Sequence, residues 1–208
     1  MTHAPYRNAI PNILTGIRLF GGVVMFLVLA GAMGGVPVLS AYLSPDQQFS
    51  LYRTGFWLFV IVAITDFFDG WLARRWNAES RWGAILDPIA DKILVCGAAV
   101  GLLTSGTGAE VVIPLGVILF REFAVSALRE TIAGRVELPV TLLAKWKTTL
   151  QLVALGAQLL TLVFLGAEDQ WIPIFNAFAD FLVWLAAVVT LWTGWQYFTT
   201  ARRAMRAA

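Results

Sequence analysis

The sequence is short of charge. Asp, Glu, Lys and Arg make up 13% of its 208 residues, about half the share of an ordinary soluble domain. With 59% hydrophobic residues and a mean hydropathy of +0.74, that scarcity excludes a disordered chain and argues against a water-soluble fold. Cysteine is nearly absent. The single Cys96 rules out an internal disulfide framework and a cysteine metal centre, and it lies in an apolar run that suits a small hydrophobe. Histidine is down to one, His3 beside a terminus, which leaves little scope for histidine-based metal or acid–base chemistry. A net charge of +2 is too small to argue for a nucleic-acid partner.

What the sequence has instead is long apolar runs. Six stand out, at about 13–33, 53–73, 84–104, 108–128, 148–167 and 172–198, and a membrane-spanning helix needs about 20 such residues. Six spans use roughly 120 residues and leave only short loops. The expectation is an all-α integral membrane protein, one domain over residues 1–208, with six transmembrane helices. The first run follows a polar segment with Asn8, Pro11 and Asn12 and is longer than a signal-peptide core. Residues 2–12 are expected on the membrane surface before the first helix. No separate targeting segment is expected, and a bacterial inner membrane is the expected location.

Charge placement gives orientation. Eleven of fifteen Lys and Arg fall on one side: Arg7, Arg74, Arg75, Arg81, Arg129, Arg135, Lys145, Lys147, Arg202, Arg203 and Arg206. The opposite loops hold Arg53 with Asp46, Glu110, Glu168 and Asp169. By the positive-inside rule both termini face the cytoplasm. Arg18, Lys92 and Arg121 lie within predicted spans.

Against this background four aspartates need a reason. Asp66, Asp69, Asp87 and Asp91 sit in the second and third spans, where each charge costs about 2.5–3.5 kcal/mol near the membrane centre. The spacings, three and four residues, put each pair on one helix face. A short basic turn joins the two helices, which are therefore expected as antiparallel neighbours whose acidic faces meet. Pairing with Lys92 and Arg18 accounts for one or two acids, hardly four. Raised pKa values in a proton relay are one remedy; the other is a pair of divalent ions, since hard Mg2+ or Mn2+ prefers oxygen ligands. Gly70, Gly83 and Arg74 favour metal and a phosphate-bearing ligand, because they provide close backbone approach and a bidentate cation at the membrane edge.

These residues form the pattern Asp66-x2-Asp69-Gly70-x2-Ala73-Arg74-x8-Gly83-x3-Asp87-x3-Asp91, which fixes eight residue types over 26 positions. The pattern resembles the signature of the CDP-alcohol phosphotransferases. That resemblance implies a six-span, homodimeric membrane enzyme with a two-metal site opening to the cytoplasmic leaflet. It implies that Asp66, Asp69, Asp87 and Asp91 bind the metals, with Asp91 also the general base. Asp66, Asp69, Gly70, Ala73, Arg74 and Gly83 would line the CDP pocket.

Three further segments bear on the acceptor. They are Ile10-Pro11-Asn12-Ile13-Leu14-Thr15-x2-Arg18, whose Asn12 and Thr15 are expected to reach the nucleotide; Arg121–Arg129; and Lys145-Trp146-Lys147-Thr148-x2-Gln151. Together they resemble the branch of the family that joins glycerol 3-phosphate to CDP-diacylglycerol. Ala144 departs from the pattern, standing where glycine is usual. Arg121, Arg129, Lys145 and Lys147 are the expected acceptor-phosphate cations; positive-inside topology and an Arg121–Glu122 pair are their plainer explanations. A phosphatidylglycerol-using cardiolipin synthase is the alternative within the family, and an ion-coupled transporter the alternative outside it. Asp180, alone in the last span, is expected to make a helix-packing hydrogen bond or lie at the interface.

Overall fold

A computed structural model describes residues 6–32, 34–35, 42–76, 81–105, 108–132 and 142–207. The described residues are all-helical, in six helices: α1 (Tyr6–Ala32), α2 (Pro45–Trp76), α3 (Arg81–Thr104), α4 (Ala109–Ile132), α5 (Leu142–Val163) and α6 (Ile172–Ala207). Each covers one of the six apolar runs.

Four helices contain stretches long and apolar enough to cross a membrane: Ile13–Ala32, Pro45–Asp66, Ala109–Thr131 and Ile172–Arg203. The other two, α3 and α5, carry the polar groups that lower their hydropathy: Asp87, Asp91 and Lys92 on one, Lys147, Gln151 and Gln158 on the other. Large apolar side chains are exposed in each helical unit, among them Phe20, Trp57, Ile113, Phe120, Ile174 and Trp192. Such a surface suits lipid rather than water.

Two boundaries differ from the sequence expectation. Residues 6–12 are not a segment ahead of the first helix but its opening turns, so the polar stretch keeps its backbone hydrogen bonds within the helix. α2 begins at Pro45, eight residues before the apolar run, because its first turn is strongly capped. The Ser44 amide donates to Gln47 Oε1 at 2.9 Å and the Gln47 amide donates to Ser44 Oγ at 3.3 Å, a reciprocal capping box with proline at the first helical position. Asp46 adds negative charge where the helix dipole favours it. Asp46 and Arg53 thus lie in α2 rather than in a loop.

The chain divides into two compact units, Met1–Ser105 with Leu162–Gly166, and Gly106–Thr161 with Ala167–Ala208. In the first, α1 packs along both α2 and α3, and α2 also touches α3. Two adjacent glycines let α1 pack on both. A Cβ at Gly21 would collide with Val62 of α2, and one at Gly22 would meet Ile93 of α3 at 3.1 Å. Met25, Leu29, Phe59, Val62 and Leu94 fill the core between them. In the second unit α4 packs along α6. Gln151 and Gln158 of α5 donate to Thr190 Oγ1 and Asp180 Oδ1 of α6 at 3.0 and 2.6 Å.

Candidate active site

In the first unit three of the four signature aspartates converge on one cation. Arg18, on α1 and 1% exposed, directs Nη2 to Asp87 Oδ1 at 2.9 Å and Nη1 toward Asp91 Oδ1 at 3.6 Å; Nη1 is also paired with Asp66 Oδ1. One turn earlier Thr15 Oγ1 donates to the same Asp87 Oδ1 at 2.7 Å. Among the described residues the carboxylates of α2 and α3 are gathered by Arg18 of α1, which packs on both helices. Arg18 does not answer for only one or two acids. A guanidinium presents five donors in a planar fork, and α1 lies where that fork reaches both neighbours.

The cluster has a closed side and an open side. Arg18 and Thr15 are buried, at 1% and 2% exposure, whereas the side chains of Asp66, Asp87 and Asp91 are 30%, 50% and 46% exposed. Each carboxylate gives its Oδ1 to the buried cation. A further cation arriving from the open side meets hard oxygen donors. Among the described residues no group of three carboxylates closes around a single ion position. The remaining signature residues are placed by helix only: Asn12 on α1, Asp69, Gly70, Ala73 and Arg74 on α2, and Gly83 on α3. Their side chains lie outside the described residues, as does that of Lys145 on α5. No ion pair joins Lys92 to the aspartates among the described residues.

In the second unit two of the four expected acceptor cations, Arg121 and Lys147, are tied into a network around Glu122, which was expected only to neutralise its neighbour. Glu122 Oε1 accepts from Arg121 Nη1 at 3.3 Å and from Gln151 Nε2 at 3.2 Å, and pairs closely with the Lys147 ammonium. Arg121 also donates from Nε to the Thr190 carbonyl at 3.2 Å and from Nη2 to Thr193 Oγ1 at 3.1 Å. Its stem lies over Gly194, where a Cβ would stand 3.1 Å from Arg121 Cγ. Arg129 is exposed; it donates to the Tyr197 hydroxyl at 2.8 Å and lies 4.9 Å from that ring's centroid, within cation–π range. α4 and α6 border a groove of about 800 Å3 with Val117, Phe120, Arg121, Trp195 and Phe198 on its walls. Asp180, accepting from Gln158, makes the helix-packing hydrogen bond expected of it.

The family model described as CDP-alcohol phosphatidyltransferase matches residues 8–192. The chain belongs to the CDP-alcohol phosphotransferase family. Three curated relatives carry the name CDP-diacylglycerol–glycerol-3-phosphate 3-phosphatidyltransferase. The Cereibacter sphaeroides protein is 38% identical across 93% of this chain and 95% of its own length. That of Salmonella paratyphi A is 39% identical across 93% and 94%, and that of Rickettsia bellii 42% identical across 70% and 77%. As a CDP-alcohol phosphotransferase the chain is a transferase of a family that generally uses divalent metal ions. Family membership leaves no support for an ion-coupled transporter.

Proposed function

We propose that this CDP-alcohol phosphotransferase transfers the phosphatidyl group of CDP-diacylglycerol to the hydroxyl of glycerol 3-phosphate, giving phosphatidylglycerophosphate and CMP. The observation that carries the reading is the gathering of Asp66, Asp87 and Asp91, partly exposed, around buried Arg18, joined to the names of relatives that match nearly the whole chain.

The donor chemistry of that cluster fits Mg2+ or Mn2+: carboxylate oxygens, partly open. Asp66, Asp69, Asp87 and Asp91 would hold two such ions. When bound, they would offset the charge of the pyrophosphate and stabilise the leaving phosphate. The protein's own groups do the rest. Asn12, Thr15, Gly70, Ala73, Arg74 and Gly83 line the CDP pocket, with Arg74 meeting phosphate oxygens bidentately. Asp91 takes the proton from the acceptor hydroxyl, whose oxygen attacks the β-phosphorus in line while CMP departs. Arg121, Arg129, Lys145 and Lys147 attract the acceptor's phosphate dianion. Of these Arg129 is the most exposed among the described side chains, while Arg121 and Lys147 are buried and paired with Glu122. The lipid tails stay in the bilayer, and the groove beside α4 and α6 is apolar enough to take one.

In this reading residues 1–208 form one membrane domain of six crossings. Both termini and the active site face the cytoplasm of a bacterial inner membrane, and the protein works as a homodimer.

CMP release from CDP-diacylglycerol and Mg2+, with one acceptor supplied at a time to purified protein, tests the proposal. Release with glycerol 3-phosphate, lost with chelator and lowered at least about a thousandfold in Asp91→Asn, supports it; general-base removal and metal-ligand loss act together there. Release only with phosphatidylglycerol assigns the enzyme to cardiolipin synthesis instead. Folded protein that releases no CMP with any acceptor refutes the catalytic reading.

A further inference from the structure

The metal reading gives no task to buried Arg18 on α1, and to its buried neighbour Thr15 only a place in the CDP pocket. We infer that Thr15 and Arg18 form a positioning floor that presents the aspartates of α2 and α3 to the metal ions. This rests on the metal assignment proposed above and replaces, for Thr15, direct contact with CDP as its main task.

Three observations support it. First, Arg18 reaches Oδ1 of Asp66, Asp87 and Asp91, and Thr15 reaches the same Oδ1 of Asp87. A carboxylate held by one oxygen has its rotation fixed and its other oxygen set in a defined direction. Second, burial is lopsided: the two α1 groups are 1% and 2% exposed, while the acids are 30–50% exposed. The floor therefore lies on the protein side and the acids face the side from which a hydrated ion and a polar substrate arrive. Third, the two α1 residues are three apart, on one helix face. The adjacent Gly21 and Gly22 bring that helix against both neighbours. Among the described residues α1 packs extensively on both α2 and α3, so it can hold the acids of the two helices in register.

Groups that hydrogen-bond a metal's ligands typically change metal affinity by about 10–100-fold when removed. The two residues differ in what their loss does to the fold. Arg18→Gln strips a cation from beneath three carboxylates and disturbs folding as well as metal binding. Thr15→Val is nearly isosteric and removes one hydroxyl, so it isolates the positioning effect.

The test is Mn2+ binding to purified protein in non-ionic detergent without substrate, by titration calorimetry, beside thermal unfolding in EDTA. We expect Thr15→Val to bind Mn2+ about tenfold more weakly with an almost unchanged unfolding midpoint. Arg18→Gln is expected to bind about 10–100-fold more weakly, with Arg18→Lys in between because one ammonium cannot span the acids. In CMP-release assays the Thr15→Val deficit should be recovered by raising Mn2+, a rescue that a merely structural defect does not allow. Folded Thr15→Val and Arg18→Lys proteins that bind Mn2+ as tightly as the parent overturn the inference. Tighter binding also overturns it, since the guanidinium would then be a competitor of the ions. If the parent itself binds no Mn2+, the metal assignment falls first and this inference with it. Parent binding with unaffected variants refutes the floor alone.

Discussion

Removing the charge of Glu122 should destabilise the second unit out of proportion to one atom's change. A single oxygen, Oε1, receives Arg121 Nη1 at 3.3 Å, Gln151 Nε2 at 3.2 Å and the Lys147 ammonium. Arg121 and Lys147 are 8% and 6% exposed, so water replaces little of a lost counter-charge. Glu122→Gln keeps the size and one acceptor oxygen but leaves two cations facing each other without a counter-charge. Breaking a buried pair in this manner costs about 3–5 kcal/mol. The Arg121 bonds to the Thr190 carbonyl and Thr193 hydroxyl soften the loss without supplying charge. Free energy from reversible SDS-induced unfolding of micelle-bound protein is the readout. The companion variant Lys147→Met takes away one of the stranded cations, so the double variant should be less damaged than the sum of the singles by at least about 1 kcal/mol. A Glu122→Gln cost below about 0.5 kcal/mol, or strict additivity of the two changes, refutes the view that Glu122 is the charge centre of this network.

Other outcomes follow from neighbouring contacts. Gly194→Ala puts a Cβ 3.1 Å from Arg121 Cγ, and should cost about 1–3 kcal/mol by overpacking. The control Gly116→Ala, with nothing within 4 Å, should be neutral or stabilising in the same unfolding assay. Because Gly194→Ala also pushes Arg121 off its partners, the KM for glycerol 3-phosphate should rise while that for CDP-diacylglycerol holds. Asp180→Leu strands the buried Gln158 amide that donates to it at 2.6 Å, costing about 1–3 kcal/mol. CMP release per folded molecule should stay at the parent value, and a fall in that quantity gives Asp180 a part in the reaction.

The six helices were legible because each rests on an apolar run that length and hydropathy mark directly. Their ends were less so. Ser44-Pro45-Asp46-Gln47 is a complete helix-start signal, yet it precedes the apolar run by several polar residues, and apolar periodicity alone starts α2 too late. The gathering of Asp66, Asp87 and Asp91 was legible for the opposite reason: acids inside apolar runs are costly enough to demand an explanation. Glu122 carried the same signal in weaker form, because an adjacent Arg–Glu pair looks self-neutralising. The sequence does not reveal that Lys147 and Gln151, some 25 and 29 residues away, share the same oxygen.

What sequence spacing could not supply is which helix packs on two others. Only four residues, 77–80, separate α2 from α3 in the sequence, and short connections ordinarily make neighbours; among the described residues both also pack extensively on α1. Gly21-Gly22 carried a hint. Adjacent helix positions point about 100° apart, so two small residues in succession allow close approach on two faces. The structure uses one for Val62 and the other for Ile93. Once α1 is known to have two packed faces, an arginine one turn before that pair can answer acids on both neighbours at once. A lone Arg in an apolar run is thus better read as the counterpart of acids on every helix its own helix touches than as the partner of a single carboxylate. On that reasoning, widening the gap should separate the acids from their floor. Gly22→Leu is expected to force α1 from α3, where a Cβ already meets Ile93 at 3.1 Å. It should weaken Mn2+ binding even though it alters no polar group, and parent-like Mn2+ affinity in the folded variant refutes this account of the helix packing.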